Sequence, residues 1–190
     1  MSNDRYEEQA WEKQDFTTSP FVKGSYEECT FSNCNFSGVD LSSTRFTGCT
    51  FRACNMDNAR FGGTTLNAVA FEGCKLQGLH FGDCNSLLFS VSFSDCVLNY
   101  SSFFRMPLKQ AIFRNCQVQE ADFTEADLSA AVLDHCDLHK AIFERTNLEK
   151  ADLRTAYHFS INPERNKLKK ARFSLAGLPG LLHQYQVIID

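Results

Sequence analysis

The chain has 190 residues, 43% of them hydrophobic, with 18 Phe against one Trp and a formal net charge of −4. That is enough for one domain with a substantial core, and no apolar run approaches a membrane span. The negative balance weighs against direct binding of a nucleic-acid backbone. The acidic, polar start MSNDRYEEQAWEKQDF is unlike an export signal, so the expected compartment is the reducing cytoplasm.

From Tyr6 onward every fifth residue is large and apolar: Tyr6, Trp11, Phe16, Phe21, Tyr26, and so on to Phe81. The register slips by two residues near NSLL (85–88). It resumes at Leu88, Phe93, Leu98 and Phe103 and runs to Leu153, thirty positions in all. A period of five fits neither standard element. On an α-helix residues five apart lie roughly 140° from each other, and on a straight strand they point to opposite faces. A chain that aims every fifth residue inward must turn about a quarter circle per repeat. Four repeats then close one square coil of twenty residues, and coils stack at the inter-strand spacing of ~4.8 Å. The predicted fold is an all-β quadrilateral solenoid over residues 1–173, followed by a tail over 174–190.

Of the nine cysteines (29, 34, 49, 54, 74, 84, 96, 116 and 136), all but Cys84, which falls at the slip, lie two residues before a central apolar residue. Local alternation turns that position inward as well. Six of them, from Cys34 to Cys136, fall in one column, whose centres Met56, Leu76, Leu98, Val118 and Leu138 are small. The Phe61, Phe103, Phe123 and Phe143 column is partnered by Ala or Ser. This is volume compensation in a packed core, with Cys serving as a small hydrophobe. Thiols ~4.8 Å apart along a line suit neither tetrahedral zinc nor a disulfide. No metal and no cofactor is expected.

Next in chain order, Phe89 and Phe104 each follow a centre by one residue, where side chains face outward. Met106 and Pro107 break the small-then-polar rule beside them. Phe89, Phe104 and Arg105 are therefore candidates for partner contact, unless the two rings shield each other. Residues 120–153 are acidic, with Glu120, Asp122, Glu125, Asp127, Asp137, Glu144 and Glu149 as a candidate surface. Such a surface either meets a DNA-binding groove by long-range attraction or consists of corner acids bonded to their own turns. A basic loop follows, assigned to 159–167 and overlapping the basic run NPERNKLKKAR (162–172). In the tail, Pro179 suits the first turn of a short helix. Leu178, Leu181, Leu182 and Tyr185 then form one apolar face, and VIID is able to add a strand. No catalytic constellation or phosphate loop is present, so the chain is expected not to be an enzyme.

The stretch ADFTEADLSAAVLDHCDLHKAIFERTNLEKADL (121–153) resembles the pentapeptide-repeat family, whose consensus is A-(D/N)-L-x-x. The resemblance covers roughly residues 6 to 153 and implies a right-handed quadrilateral β-helix. It extends to the Qnr-type and gyrase-poison immunity subset. The partners this implies are DNA gyrase and topoisomerase IV, protected from quinolones or peptide poisons, with partial DNA mimicry and without direct nucleic-acid or membrane binding. It also implies a homodimer through the tail, placing Leu178, Leu181, Leu182, Tyr185, Val187 and Ile188 at the interface; alternatively the tail only caps its own coil. The chain lacks the sizeable loops that many Qnr-type proteins carry. The other functional class is an interaction module of the same fold with an unrelated partner.

Overall fold

The computed structural model describes residues 4–188. The chain pairs parallel with itself twenty residues on, along four lines. Tyr6 lies on Tyr26, Trp11 on Phe31, Asp15 on Asn35, and Asp40 on Arg60. The result is a four-sided parallel solenoid with five residues to a side. The first face is a four-stranded sheet from Arg5–Glu7 to Thr65–Asn67, continued by single bridges. The second is a nine-stranded sheet from Ala10–Glu12 to Arg172–Phe173. Single parallel bridges make up the third and fourth.

The corners explain the period. The residue two past a centre adopts left-handed backbone geometry, as in Glu28 (φ 50°), Asn33 (φ 56°) and Ser43 (φ 62°). On the third and fourth faces this closes a hydrogen-bonded turn, with Val39 N donating to Phe36 O at 2.9 Å. Gly38 is the third residue of that turn, with φ 68°, which makes it a type II turn.

Twenty-nine of the thirty predicted centres point into the rod, and the first four of them, Tyr6, Trp11, Phe16 and Phe21, are only partly buried. Rings stack from coil to coil. Along the second face the centroid spacing is 4.7 Å for Trp11–Phe31, 4.9 Å for Phe31–Phe51 and 5.2 Å for Phe51–Phe71. Neighbouring faces meet edge-on, as at Phe103–Phe113 (5.8 Å, 84°). These are the two favoured aromatic geometries.

All nine cysteines are free and buried. In the six-membered column the thiols bond to backbone carbonyls. Cys54 Sγ lies 3.4 Å from Arg52 O and 3.3 Å from Phe31 O. Burial pushes the Cys49 thiol up to about 11 and Cys84 further still. Hydrogen bonding with the Cys54 and Cys96 thiols, together with burial, raises Cys74. At these three positions the reactive thiolate is withheld.

The missing centre is Leu88. Across the slip the register lengthens to twenty-two residues (Phe71 on Phe93) and returns to twenty at Phe93 on Phe113. The extra residues leave the wall after Asn85, whose Oδ1 accepts a hydrogen bond from Leu87 N at 3.0 Å. Leu88 takes the left-handed corner (φ 63°) and is 67% exposed. Phe89 re-enters the core at 7% exposure, its ring edge-on to Phe81. Expected as an outward contact, Phe89 is instead the centre that Leu88 was expected to be, because the turn absorbs the insertion before the chain rejoins the face.

A second interruption was not anticipated. After Ala156 the next centre position falls on His158, which takes φ 59° and points out, while Phe159 and Ile161 are buried. The expected basic loop therefore begins in the core. Most of the rest is an eighth coil: Asn147 bridges Lys167, and Arg172–Phe173 pairs with Asp152–Leu153. Asn166 occupies an inward position with its polar atoms bonded to Thr146 N, Phe143 O and Asn162 O.

The tail lies across this end as the expected short helix, one α-turn at Pro179–Leu182, flanked by 3-10 turns at Leu175–Gly177 and His183–Tyr185. Ile161 N donates to Gly180 O at 2.9 Å, and Tyr185 OH to Glu164 Oε1 at 2.8 Å. A Cβ on Gly180 would meet the Phe159 ring at 2.7 Å, so only glycine lets the tail sit this close. The predicted final strand is absent over Val187 and Ile188, and Ile189 and Asp190 lie outside the described residues.

Candidate partner-binding surfaces

The side wall is a lattice of corner side chains repeated every twenty residues, with partners one coil away. Arg105 Nε lies 2.6 Å from Glu125 Oε2, and Arg145 Nη2 lies 2.6 Å from Glu125 Oε1. Hydrogen bonds from these two arginines hold the Glu125 carboxyl below its ordinary range. Arg105 also lies 4.7 Å over the Phe104 ring. Phe104 is 38% exposed, on the corner next to the slip.

The predicted acidic surface is therefore largely engaged. Besides Glu125, Asp122 accepts from Thr124 N, and Asp127 from Ser129 N and Asn147 Nδ2. Asp137 receives Gln119 Nε2 and pairs with His158, and Glu144 pairs with Arg165 at 3.3 Å. Glu120, on an exposed corner, and the half-buried Glu149 stand outside these pairs.

The slip does gather apolar surface, with different members from those expected. Leu87 (73% exposed), Leu88 and Phe104 project here, and Pro107 on the following coil has no N–H to offer. The signal for Leu87 was present in the sequence: Asn85-Ser86 is a turn dipeptide, and a turn places its following residues outside. At the tail, Leu181 packs on the core, whereas Leu178, Leu182, Tyr185, Val187 and Ile188 are exposed. Among the described residues, no three His, Cys, Asp or Glu side chains gather as a metal site. Nor, among the described residues, is any helix long and apolar enough to cross a membrane.

Two family models match this wall. Residues 24–103 match a pentapeptide repeat region, and residues 121–156 match eight copies of pentapeptide repeats. The chain belongs to the pentapeptide-repeat family. Its solenoid is the family's right-handed quadrilateral β-helix. Trypsin-treated QnrB1, a plasmid-mediated fluoroquinolone resistance protein, superposes with a TM-score of 0.64 at 19% identity, covering 98% of this chain and 100% of that one. HetL, involved in heterocyst differentiation regulation in the cyanobacterium Nostoc, gives 0.72 at 17% identity, covering 91% of this chain and 87% of that one. At such identities the likeness is one of fold. No curated protein sequence matches this pentapeptide-repeat protein.

Proposed function

We propose that this pentapeptide-repeat protein is a non-catalytic, cytoplasmic binding protein. Its partner is a type II DNA topoisomerase, gyrase or topoisomerase IV, which it protects from quinolones or peptide poisons. The observation that carries a binding role is the slip. A wall built mostly of core centres and paired corners is interrupted here, and there it holds Leu87 and Leu88 in solvent. Two exposed leucines, one of them (Leu88) on a left-handed backbone that a bulky residue resists, are a liability in a free rod and an anchor in a complex. The choice of partner class rests on resemblance to the Qnr-type subset, whose fold this chain shares from end to end.

The engaged acids favour a contact led by this apolar slip over mimicry of a DNA backbone. Gyrase supercoiling in the presence of ciprofloxacin, titrated with the protein, tests the proposal. Protection near equimolar protein, lost in the Leu87→Asp/Leu88→Asp double variant, is the expected result. No protection and no binding to either gyrase subunit would reassign the protein to an unrelated partner, as HetL's different role shows this fold allows.

A further inference from the structure

The two ends of the rod differ in charge and in covering. At the N-terminal end, Tyr6, Trp11 and Phe16 stack face-on upon Tyr26, Phe31 and Phe36 at 4.8, 4.7 and 4.7 Å. No coil covers their other faces among the described residues, and all three rings, with Phe21, are only half-buried. This end is a plate of ring faces looking out along the axis, a surface that attracts cations and apolar groups. Its rim is acidic. Residues 5–28 hold six acids against three bases, a net −3.

The other end has the complementary character. Residues 150–172 hold seven Lys and Arg against two acids, a net +5, with Lys167, Lys169 and Lys170 exposed on the last coil. Above that rim the tail presents Leu175 (85% exposed), Leu178 and Leu182.

We propose that the N-terminal aromatic plate is a docking surface for the basic, apolar C-terminal end of a second copy, so that rods join head to tail. Meeting of the two C-terminal ends would instead bring net +5 against net +5 and would use the same apolar face, so the two joints exclude each other. A head-to-tail joint leaves one free end of each kind and continues beyond two copies, whereas a symmetric joint stops at two.

Light scattering of the full chain across a concentration series, at about 50 mM and about 500 mM salt, separates these cases because added salt shortens the reach of the rim charges. We expect the mean mass at low salt to rise with concentration past two copies, and to fall back toward the 21.5 kDa monomer at high salt. Glu8→Lys/Glu12→Lys, at exposed corner and wall positions, should abolish this growth, as should Lys169→Glu/Lys170→Glu. Mixing the two charge-reversed variants should restore association, since each then offers the end that the other lacks. A mass that halts at two copies and ignores the Glu8/Glu12 reversal, growth indifferent to both reversals, or a monomer at every concentration would each overturn the proposal.

Discussion

The stretches 24–103 and 121–156 follow one backbone path with different fillings. The coil from Cys29 to Phe46 points three Phe inward, while the coil from Ala121 to Leu138 points one, beside three Leu each partnered by Ala or Cys. Register stays at twenty residues in both. The interior volume therefore tapers without altering the ladder, so the path is set by corner geometry and backbone hydrogen bonds, and the core needs only local fit. Corners differ as well. All five glycines with positive φ lie between Gly38 and Gly78, where left-handed geometry comes without a Cβ penalty. In the later stretch long charged side chains take those corners and pair across coils, as Glu125 does with Arg145 and with Arg105 on the coil before.

If the core carries stability in both stretches, the largest loss comes from placing a charge inside either one. Phe123 is fully buried between Phe103 (5.1 Å) and Phe143 (5.2 Å). Phe123→Asp leaves a carboxylate with no partner in a stack of rings, a penalty of several kcal/mol in a domain of ordinary stability. Circular dichroism should find no cooperative unfolding transition. Phe51→Asp in the earlier stretch should behave alike, and survival of either one would show that stretch to be held by something other than its core.

Near the end of the earlier stretch, the slip gives the next largest effect. Phe89→Ala should cost about 3–5 kcal/mol in urea unfolding, the usual range for a buried ring. Leu88→Gly should leave stability unchanged or raise it by up to about 1 kcal/mol, because glycine removes the strain of a left-handed leucine. The opposite ranking would restore the register in which Leu88 is the centre. Counting repeats reveals how many residues are inserted but not which one re-enters. Leu88 and Phe89 are both apolar, and the Asn85 turn decides between them. The same ambiguity hid Phe159 behind His158. Elsewhere the period was sufficient, since it located the inward column and six aligned cysteines before any coordinates. It also contained the Arg105–Glu125–Arg145 ladder, as positions twenty apart share a corner.

The cysteine column crosses both stretches and should respond uniformly. Thiol titration without denaturant should label few of the nine, and all nine should react once unfolded. Burial raises Cys49 to about 11, above the free-thiol value near 8.5, so its protonated form is favoured by folding. Its contribution is fully present below about pH 8.5 and is lost as pH rises toward about 11. Urea midpoints should accordingly fall over that alkaline window, and less so in Cys49→Ala. Rapid native labelling confined to one stretch would mean that its coils open independently of the other's.

The smallest effect is expected on the charged corners that set the later stretch apart. Glu125 bridges two arginines, yet all three side chains are solvent-exposed to some degree, and exposed pairs are held weakly because water screens them. Glu125→Ala leaves Arg105 and Arg145 two coils apart, near ~10 Å, where their repulsion is damped by ordinary salt. The melting temperature should move by about 2 °C or less, and by less again at high salt. Arg52→Ala, which breaks the 2.8 Å Arg52–Glu72 pair in the earlier stretch, should give a shift of the same size. A fall for Glu125→Ala approaching that of Phe89→Ala would reverse the reading of the two stretches. The thinner core of 121–156 would then depend on its ladders for stability, and the corner charges would be structural elements of the rod.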